Sequence, residues 1–493
     1  MKPDVKDTII FFVIALTNIN FNIWGLIIPY YYSHARYYNP DMTMKTVFNA
    51  IIFSYLGFNI STFVFPTLLF VLGLKGMLIF GALVSAFNNV SLFMFSSTFW
   101  ICTCTAMVGF VYKHFTTVII LYFTTKYPEK SSKLYGIATS GFIVTGFFWA
   151  NFLTFYINPG NDDMTNTSSS TGYKEKYFPI EIASRLEGIM IIQTLFILGT
   201  VFVMSSLFDN PENYKSNIYA LIRWLKGEKV DLNGSFQKLS ELLSESTLKL
   251  YKSGLESKDN IRITNTFESG LIDQTDLSPD NKPDDLKSLS QSEEEFKKTT
   301  YQLAINELRT SKFWLLFYAS IFRLSVVFYY MDNAKIIGYD LVRNDQLITQ
   351  VYSVSSFLAM TSSAMSGYIV DKLGLFNCYV MSIGCNLFIE AITFTIIRFY
   401  PYLYLPLLAL SRTAGNFGLQ LSNITLFNYY DPDVALQLVK VYEFHSFIAN
   451  LVMVIINQWL YVDGNFTYAF LCYFVLDGIA MLVILFKLKP NTS

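Results

Sequence analysis

Hydrophobic and polar positions fall into apolar runs of roughly 20 residues separated by short polar connections. There are twelve such runs, six before and six after one long polar stretch. Inside a bilayer each backbone N–H and C=O must be satisfied within its own segment, so a run of this length predicts a spanning helix. The first six spans are predicted near Thr8–Tyr31, Val47–Val71, a third reaching Phe95, Trp100–Thr125, Leu134–Ile157 and Ser184–Leu207. The second six are predicted near Phe313–Tyr330, Leu347–Val370, a ninth ending near Arg398, Tyr402–Phe427, Leu436–Leu460 and Asn465–Phe486. The pattern predicts an all-α membrane protein of two six-helix halves, 1–208 and 312–493, joined by a polar linker, 209–311.

The linker carries KGEK (Lys226–Lys229), LESKDN (Leu255–Asn260), DQTDLSPDNKPDD (Asp273–Asp285) and SEEEFKK (Ser292–Lys298). Its apolar periodicity is too sparse to build a core, so no catalytic domain is expected there. Short amphipathic or polar helices are expected at Tyr214–Gly227, Phe236–Tyr251 and Glu293–Leu308, with disorder between. Twelve spans place both termini on one side. A cytoplasmic placement puts Lys75, Lys126–Lys133, the linker, Lys372, Lys487 and Lys489 inside, in line with the positive-inside tendency, while Arg36 and Lys45 run against it. It also puts the Asn166-Thr167-Ser168 sequon outside, where Asn166 would be glycosylated.

Composition sharpens the class. The chain has 493 residues, 53% hydrophobic and 15% charged, with a formal net charge of −1. That balance excludes a nucleic-acid binder with its basic footprint. Five cysteines, all in apolar segments, lack the spacing of a metal site, so no metal is expected. The three histidines, His34, His114 and His445, are scattered and form no triad or metal constellation, and no G-x-x-x-x-G-K-[ST] occurs. No catalytic residue, cofactor or ATP-driven step is expected. The N-terminus runs directly into a span too long for a signal peptide.

Between spans 8 and 9 the chain reads SGYIVDKLGLFNCYVMSIG (Ser366–Gly384). Gly367, Asp371, Lys372 and Gly374 resemble the Gly-x-x-x-Asp-(Arg/Lys)-x-Gly signature of the major facilitator superfamily, found there between spans 2 and 3 and again between 8 and 9. The first-half counterpart, PTLLFVLGLKG (Pro66–Gly76), keeps Gly73 and Gly76 but has no aspartate. The resemblance implies the major facilitator fold, with the signature as a conformational latch rather than a substrate site. The segments Gly136–Gly160 and Ser311–Ala334 are similar in flavour to the oxalate/formate antiporter and monocarboxylate porter branch. That likeness implies a small organic anion as substrate, moved by exchange or with a proton.

In that fold spans 1, 4, 7 and 10 line the central path. Lys113, Arg323 and Arg412 fall in spans 4, 7 and 10. An ionised side chain in the bilayer core costs about 2.5–3.5 kcal/mol on the insertion scale, so each needs a wet cavity or a partner. One reading is a cationic site for a carboxylate; the other is structural pairing with Glu390, Glu443 or Asp477. Asn18 and Asn22 share a face of span 1, and Arg412, Asn416 and Gln420 form a polar stripe on span 10, so Asn18, Asn22 and Asn416 are candidate substrate contacts. Lys440, in span 11, resembles the substrate lysine of the bacterial oxalate/formate antiporters. His114, Glu390 and Glu443 are candidates for proton coupling. The expectation is a monomeric secondary transporter, in the plasma membrane by default with an endomembrane or organelle as the alternative, moving a small organic solute, an anion such as a monocarboxylate, by alternating access. A neutral or zwitterionic substrate, or a non-transporting structural or receptor-like role, is the alternative.

Overall fold

The computed structural model describes residues 2–94, 96–127, 130–168, 174–208, 302–430, 434, 438, 441–460 and 466–487. The first half holds α1 (Pro3–Ala15), α2 (Ile19–Tyr38), α3 (Met44–Ala50), α4 (Ile52–Met94), α5 (Thr98–Lys126), α6 (Ser131–Ile157), α7 (Ile180–Ala183) and α8 (Arg185–Leu207). A short hairpin, β1 (Thr165–Ser168) and β2 (Lys174–Tyr177), precedes α7, with Asn166 opposite Lys176. The second half holds α9 (Ser311–Asp332), α10 (Ala334–Leu341), α11 (Asp345–Leu373), α12 (Leu375–Thr395), α13 (Tyr404–Tyr429), α14 (Phe444–Leu460) and α15 (Thr467–Lys487).

Among the described residues, seven helices are long and apolar enough to cross a membrane. One of them, Ile52–Leu92, is two spans joined at Gly73. The remaining four spans depart from a plain apolar helix for local reasons. Span 1 is broken into α1 and α2 at Leu16–Asn18, where Thr17 and Asn18 bond the carbonyls of Ile14 and Ala15 in three-residue turns. Span 8 (α11) is rich in Ser and Thr, span 10 (α13) carries Arg412 and Asn416, and the regular part of span 11 (α14) is short. The result is an integral multi-pass membrane protein of twelve helical spans in two six-helix bundles. Leu83 and Phe87 of span 3, Leu195 and Phe202 of span 6, Phe388 of span 9 and Val475 and Leu482 of span 12 are exposed, as lipid-facing side chains should be.

The two halves repeat one device. The turn between spans 2 and 3 is made by Gly73 at φ 64°, and the turn between spans 8 and 9 by Gly374 at φ 77°. Only glycine takes that backbone region without a Cβ penalty. Aligning these turns puts Phe70 at the place of Asp371, which locates the missing first-half aspartate.

Span 7 is longer than the sequence pattern predicts. Asp332, Lys335 and Asp340, expected in a connection, lie on helix: the chain pauses only at Asn333, whose side chain donates to Tyr329 O at 2.9 Å, and continues through α10. The physical reason is that Ile336, Ile337 and Tyr339 give α10 a buried apolar face, while its charges find partners. Span 1 crosses span 7 at this pause. A Cβ on Gly25 would come 2.1 Å from Met331 O and 3.0 Å from Asp332 Cα, so only glycine permits the approach.

Almost all of the linker lies outside the described residues; residues 302–308 are helical, and the Thr310 hydroxyl then caps α9 by accepting from Phe313 N at 3.4 Å.

Candidate functional site

Aromatic side chains of the two halves meet in a cluster near the middle of the spans. Phe21 of α2 stacks on Tyr112 of α5 with centroids 4.1 Å apart and meets Tyr55 of α4 edge-on at 6.0 Å. Tyr55 in turn lies 5.0 Å from Phe328 of α9, across the boundary between halves. Tyr112 also contacts Phe142 of α6 at 5.3 Å. Phe21, Tyr55 and Tyr112 are only partly buried, unlike the packed tyrosines of the core.

Three charged groups lie beside this cluster. Lys113, next to Tyr112, places its Nζ 2.8 Å from Glu443 Oε1 of the other half and 4.7 Å from the Phe58 ring centroid. Its side chain is 16% exposed and that of Glu443 26%, so the pair is within reach of solvent. Asp332 ends α9 at the pause in span 7, is partly accessible, and lies within electrostatic reach of Tyr55 and Tyr352. Among the described residues it has no ion-pair partner. Arg412 is buried where spans 5, 8 and 10 meet. Its guanidinium lies 3.7 Å from the Tyr352 ring centroid and Nη1 donates to Tyr352 O at 3.3 Å. Gly146 of α6 makes room for it, since a Cβ there would stand 3.3 Å from Nη2.

The three cations do not share one wall. Arg323 is buried inside the second half, 4.9 Å from the Tyr379 ring centroid, with Gly418 of α13 against its guanidinium. Lys113 is joined to a carboxylate and Arg412 is stacked on a tyrosine. Pairing with Glu443 is one of the two readings for Lys113, and it is the arrangement seen.

The other candidates are placed as follows. Asn18 is buried at the start of α2, beside a cavity of about 10 Å³ that it lines with Asn20, Ser85 and Asn88. That is room for about one water. The Asn416 amide donates back to Arg412 O at 3.0 Å, within its own helix. His114 is fully buried in a nest of Phe65, Phe80, Phe110 and Phe115, and its Nε2 lies 2.9 Å from Met77 O. Glu390 is fully buried within the second half. Lys372 is exposed over the Tyr368 ring, and Gly374 forms the turn described above. Lys440 lies outside the described residues, as do the side chains of Asn22, Asn166 and Asp371 and the surroundings of Gly367.

A second assembly closes the end of the molecule opposite the termini. Lys335 Nζ lies 2.7 Å from Asp345 Oδ1, with both side chains fully buried. From the first half, Tyr30 donates to Asp345 Oδ2 and Asn158 Nδ2 does so at 3.0 Å. Lys335 donates to the Tyr30 hydroxyl at 2.8 Å and to Thr154 at 3.2 Å. Thr154 bonds Thr349 across the boundary, Lys176 pairs with Asp340, and Asn161 accepts from Gln346 N. Spans 1 and 5 and the hairpin are thereby tied to spans 7 and 8.

Sequence reasoning missed Asp332, Tyr352 and this closure. The signal for Asp332 and Lys335 is present: both follow the seventh apolar run within five residues, and α10 supplies one more buried helical face.

No protein-family model and no curated protein sequence matches the chain. Solved structures match over nearly all of it. One is the major facilitator superfamily proton:xylose symporter XylE bound to 6-bromo-6-deoxy-D-glucose, with TM-score 0.59, 11% identity and coverage of 98% of this chain and 95% of that one. XylE from E. coli in a partially occluded inward-open conformation matches with TM-score 0.54, 10% identity and 98% coverage of both chains. The nucleoside transporter NupG matches with TM-score 0.56, 11% identity and coverage of 99% of this chain and 100% of that one.

Proposed function

With a chain that has the major facilitator fold as the starting point, we propose that it is a secondary transporter of a neutral polar solute of sugar or nucleoside kind. The observation that carries this is Asp332, a partly accessible carboxyl group without an ion-pair partner among the described residues, beside the aromatic cluster where spans 1 and 7 cross. Aromatic faces stack on sugar rings and bases, and a carboxylate accepts hydrogen bonds from hydroxyl or N–H groups. The cations beside the cluster are already engaged, Lys113 by Glu443 and Arg412 by the Tyr352 ring, so neither stands free to grip an anion. The same geometry speaks against the organic-anion expectation. The ligands and substrates of the structural neighbours, a hexose analogue, xylose and nucleosides, agree with this choice.

Movement would follow alternating access, with the two bundles rocking about the central site. The closure around Lys335 and Asp345 would be the gate shut at one end, with access to the aromatic cluster from the end that bears the termini.

Uptake by the full chain reconstituted in lipid vesicles tests the reading. A radiolabelled panel of xylose, glucose, uridine, adenosine, alanine, lactate and oxalate would be used. Saturable uptake of a sugar or nucleoside, lost in Asp332→Asn while the variant still inserts, is expected. Saturable uptake of lactate or oxalate alone, or unchanged uptake by Asp332→Asn, overturns it.

A further inference from the structure

The second half contains a pair of carboxyl groups away from the aromatic cluster. Glu390 of α12 and Asp477 of α15 are both fully buried, on two helices packed against each other. Asn386, one turn before Glu390, bonds Asp477 and so brings the two carboxyl groups to the same place in the bundle. Asp477 Oδ2 accepts from Asn386 Nδ2 at 3.0 Å, and the same amide donates to Arg323 O of span 7 at 3.2 Å. Asn386 and Glu390 are four apart on α12, so they share a face. Neither oxygen of Glu390 receives a hydrogen bond from any described residue, and Asp477 Oδ1 receives none either.

Two carboxylates are acceptors only. A contact between them is made only when one of them carries a proton, as in other carboxyl pairs that cannot both ionise. The surroundings favour one proton rather than none or two. Arg323 is the cation within electrostatic reach of Asp477. With one proton the pair bears a single negative charge, which Arg323 balances. With none, an uncompensated charge would remain in an apolar bundle. The other titratable groups facing the pair are Tyr330 of α9 and Tyr473 of α15, with Tyr404 of α13 stacked on Tyr330. Tyr379 of α12, Tyr442 just before α14 and His445 of α14 lie on the Arg323 side.

We infer that Glu390 and Asp477 form a binding site for one exchangeable proton, held on Glu390 and donated to Asp477 Oδ1. Binding forms one O–H bond at a Glu390 oxygen; release returns the proton to water and leaves both groups as carboxylates. Through Asn386 the pair is joined to the backbone of span 7, the same helix that ends at Asp332. As a proton site it stands independently of the proposed substrate. Any coupling to solute movement rests on the transport reading.

Infrared spectroscopy of the purified full chain in detergent reads the proton directly, because a protonated carboxyl has a C=O stretch that shifts in D₂O. At neutral pH a band from the pair is expected in the wild type. Glu390→Gln should remove it, and Asp477→Asn should keep it but shift its frequency, whereas Asp332→Asn should leave the band assigned to the pair in place. A Glu390→Gln spectrum identical to the wild type overturns the proposal. If the variants do not fold, wild-type chain labelled with ¹³C-carboxyl glutamate replaces them: an isotope-shifted acid band supports Glu390 as the carrier, and its absence overturns it. Titration with sodium chloride against choline chloride separates a proton from a metal cation. Loss of the band on adding sodium would show a cation site and overturn the assignment.

Discussion

Lys335 and Asp345 form an ion pair of 2.7 Å with both side chains fully buried, and Tyr30 and Asn158 of the other half donate to the same carboxylate. Removing one partner leaves a buried charge without compensation, which costs about 3–5 kcal/mol. Lys335→Met should therefore lower thermal stability and favour the state in which this end opens. The double variant Lys335→Met/Asp345→Leu should be milder than either single one, since apolar replacement of a whole buried pair is often neutral. Alkylation of a cysteine at Thr349, buried at this boundary, reads the opening in a background lacking the native cysteines. Faster labelling with Lys335→Met is expected; an unchanged rate would show that the pair does not hold the halves together.

How much of this is legible in the sequence depends on the physics involved. The spans are readable because the bilayer demands apolar length, a property of each segment alone. The turn glycines are readable because Gly73 and Gly374 stand at the ends of apolar runs. The partners of the cations are not, because they come from distant segments: Lys113 meets Glu443 330 positions away. Asp332 and Lys335 escape the pattern because charges ordinarily mark the end of a span. In a helix packed against other spans, Lys335 instead finds Asp345, and Asp332 lies beside the aromatic cluster.

Exchange of Lys113 and Glu443 tests whether their contact is electrostatic or incidental. Lys113→Glu and Glu443→Lys should each destabilise the protein by bringing like charges together across the halves. The double exchange should recover most of the loss. Residues in direct contact show coupling of about 0.5–3 kcal/mol, and the partial exposure of this pair argues for the lower part of that range. A double-mutant cycle on melting temperature measures it. Additive effects would show that the 2.8 Å contact contributes nothing.

Helix crossings make a prediction by contrast. A Cβ on Gly109 would stand 1.6 Å from Ser54 O, and one on Gly57 1.9 Å from Ala106 O, so spans 2 and 4 pack backbone to backbone. Gly109→Ala must push the helices apart and should cost about 1–3 kcal/mol. Gly136 of α6 has nothing within 4 Å of the same position. Gly136→Ala should be neutral or stabilise by about 0.5–1 kcal/mol through the unfolded chain. Melting temperatures of the two variants, measured side by side in one detergent, should fall for Gly109→Ala and hold or rise for Gly136→Ala. A shared fall would mean that helix packing is not what separates them.

Arg412 distinguishes charge from shape. Its guanidinium is planar and lies 3.7 Å from the centroid of Tyr352, a geometry that suits stacking as well as cation–π attraction. Lysine keeps the charge but cannot stack as a plane, so Arg412→Lys is expected to lose about 0.5–2 kcal/mol of stability. Tyr352→Leu should cause a loss of the same order, and the two changes together should cost less than their sum because they remove one contact. If the arginine were instead a substrate carboxylate site, Arg412→Lys would raise the KM for an anion while leaving the melting temperature of the empty protein unchanged. Measuring both quantities on one preparation decides between the stacked, structural arginine and the ligand-binding one.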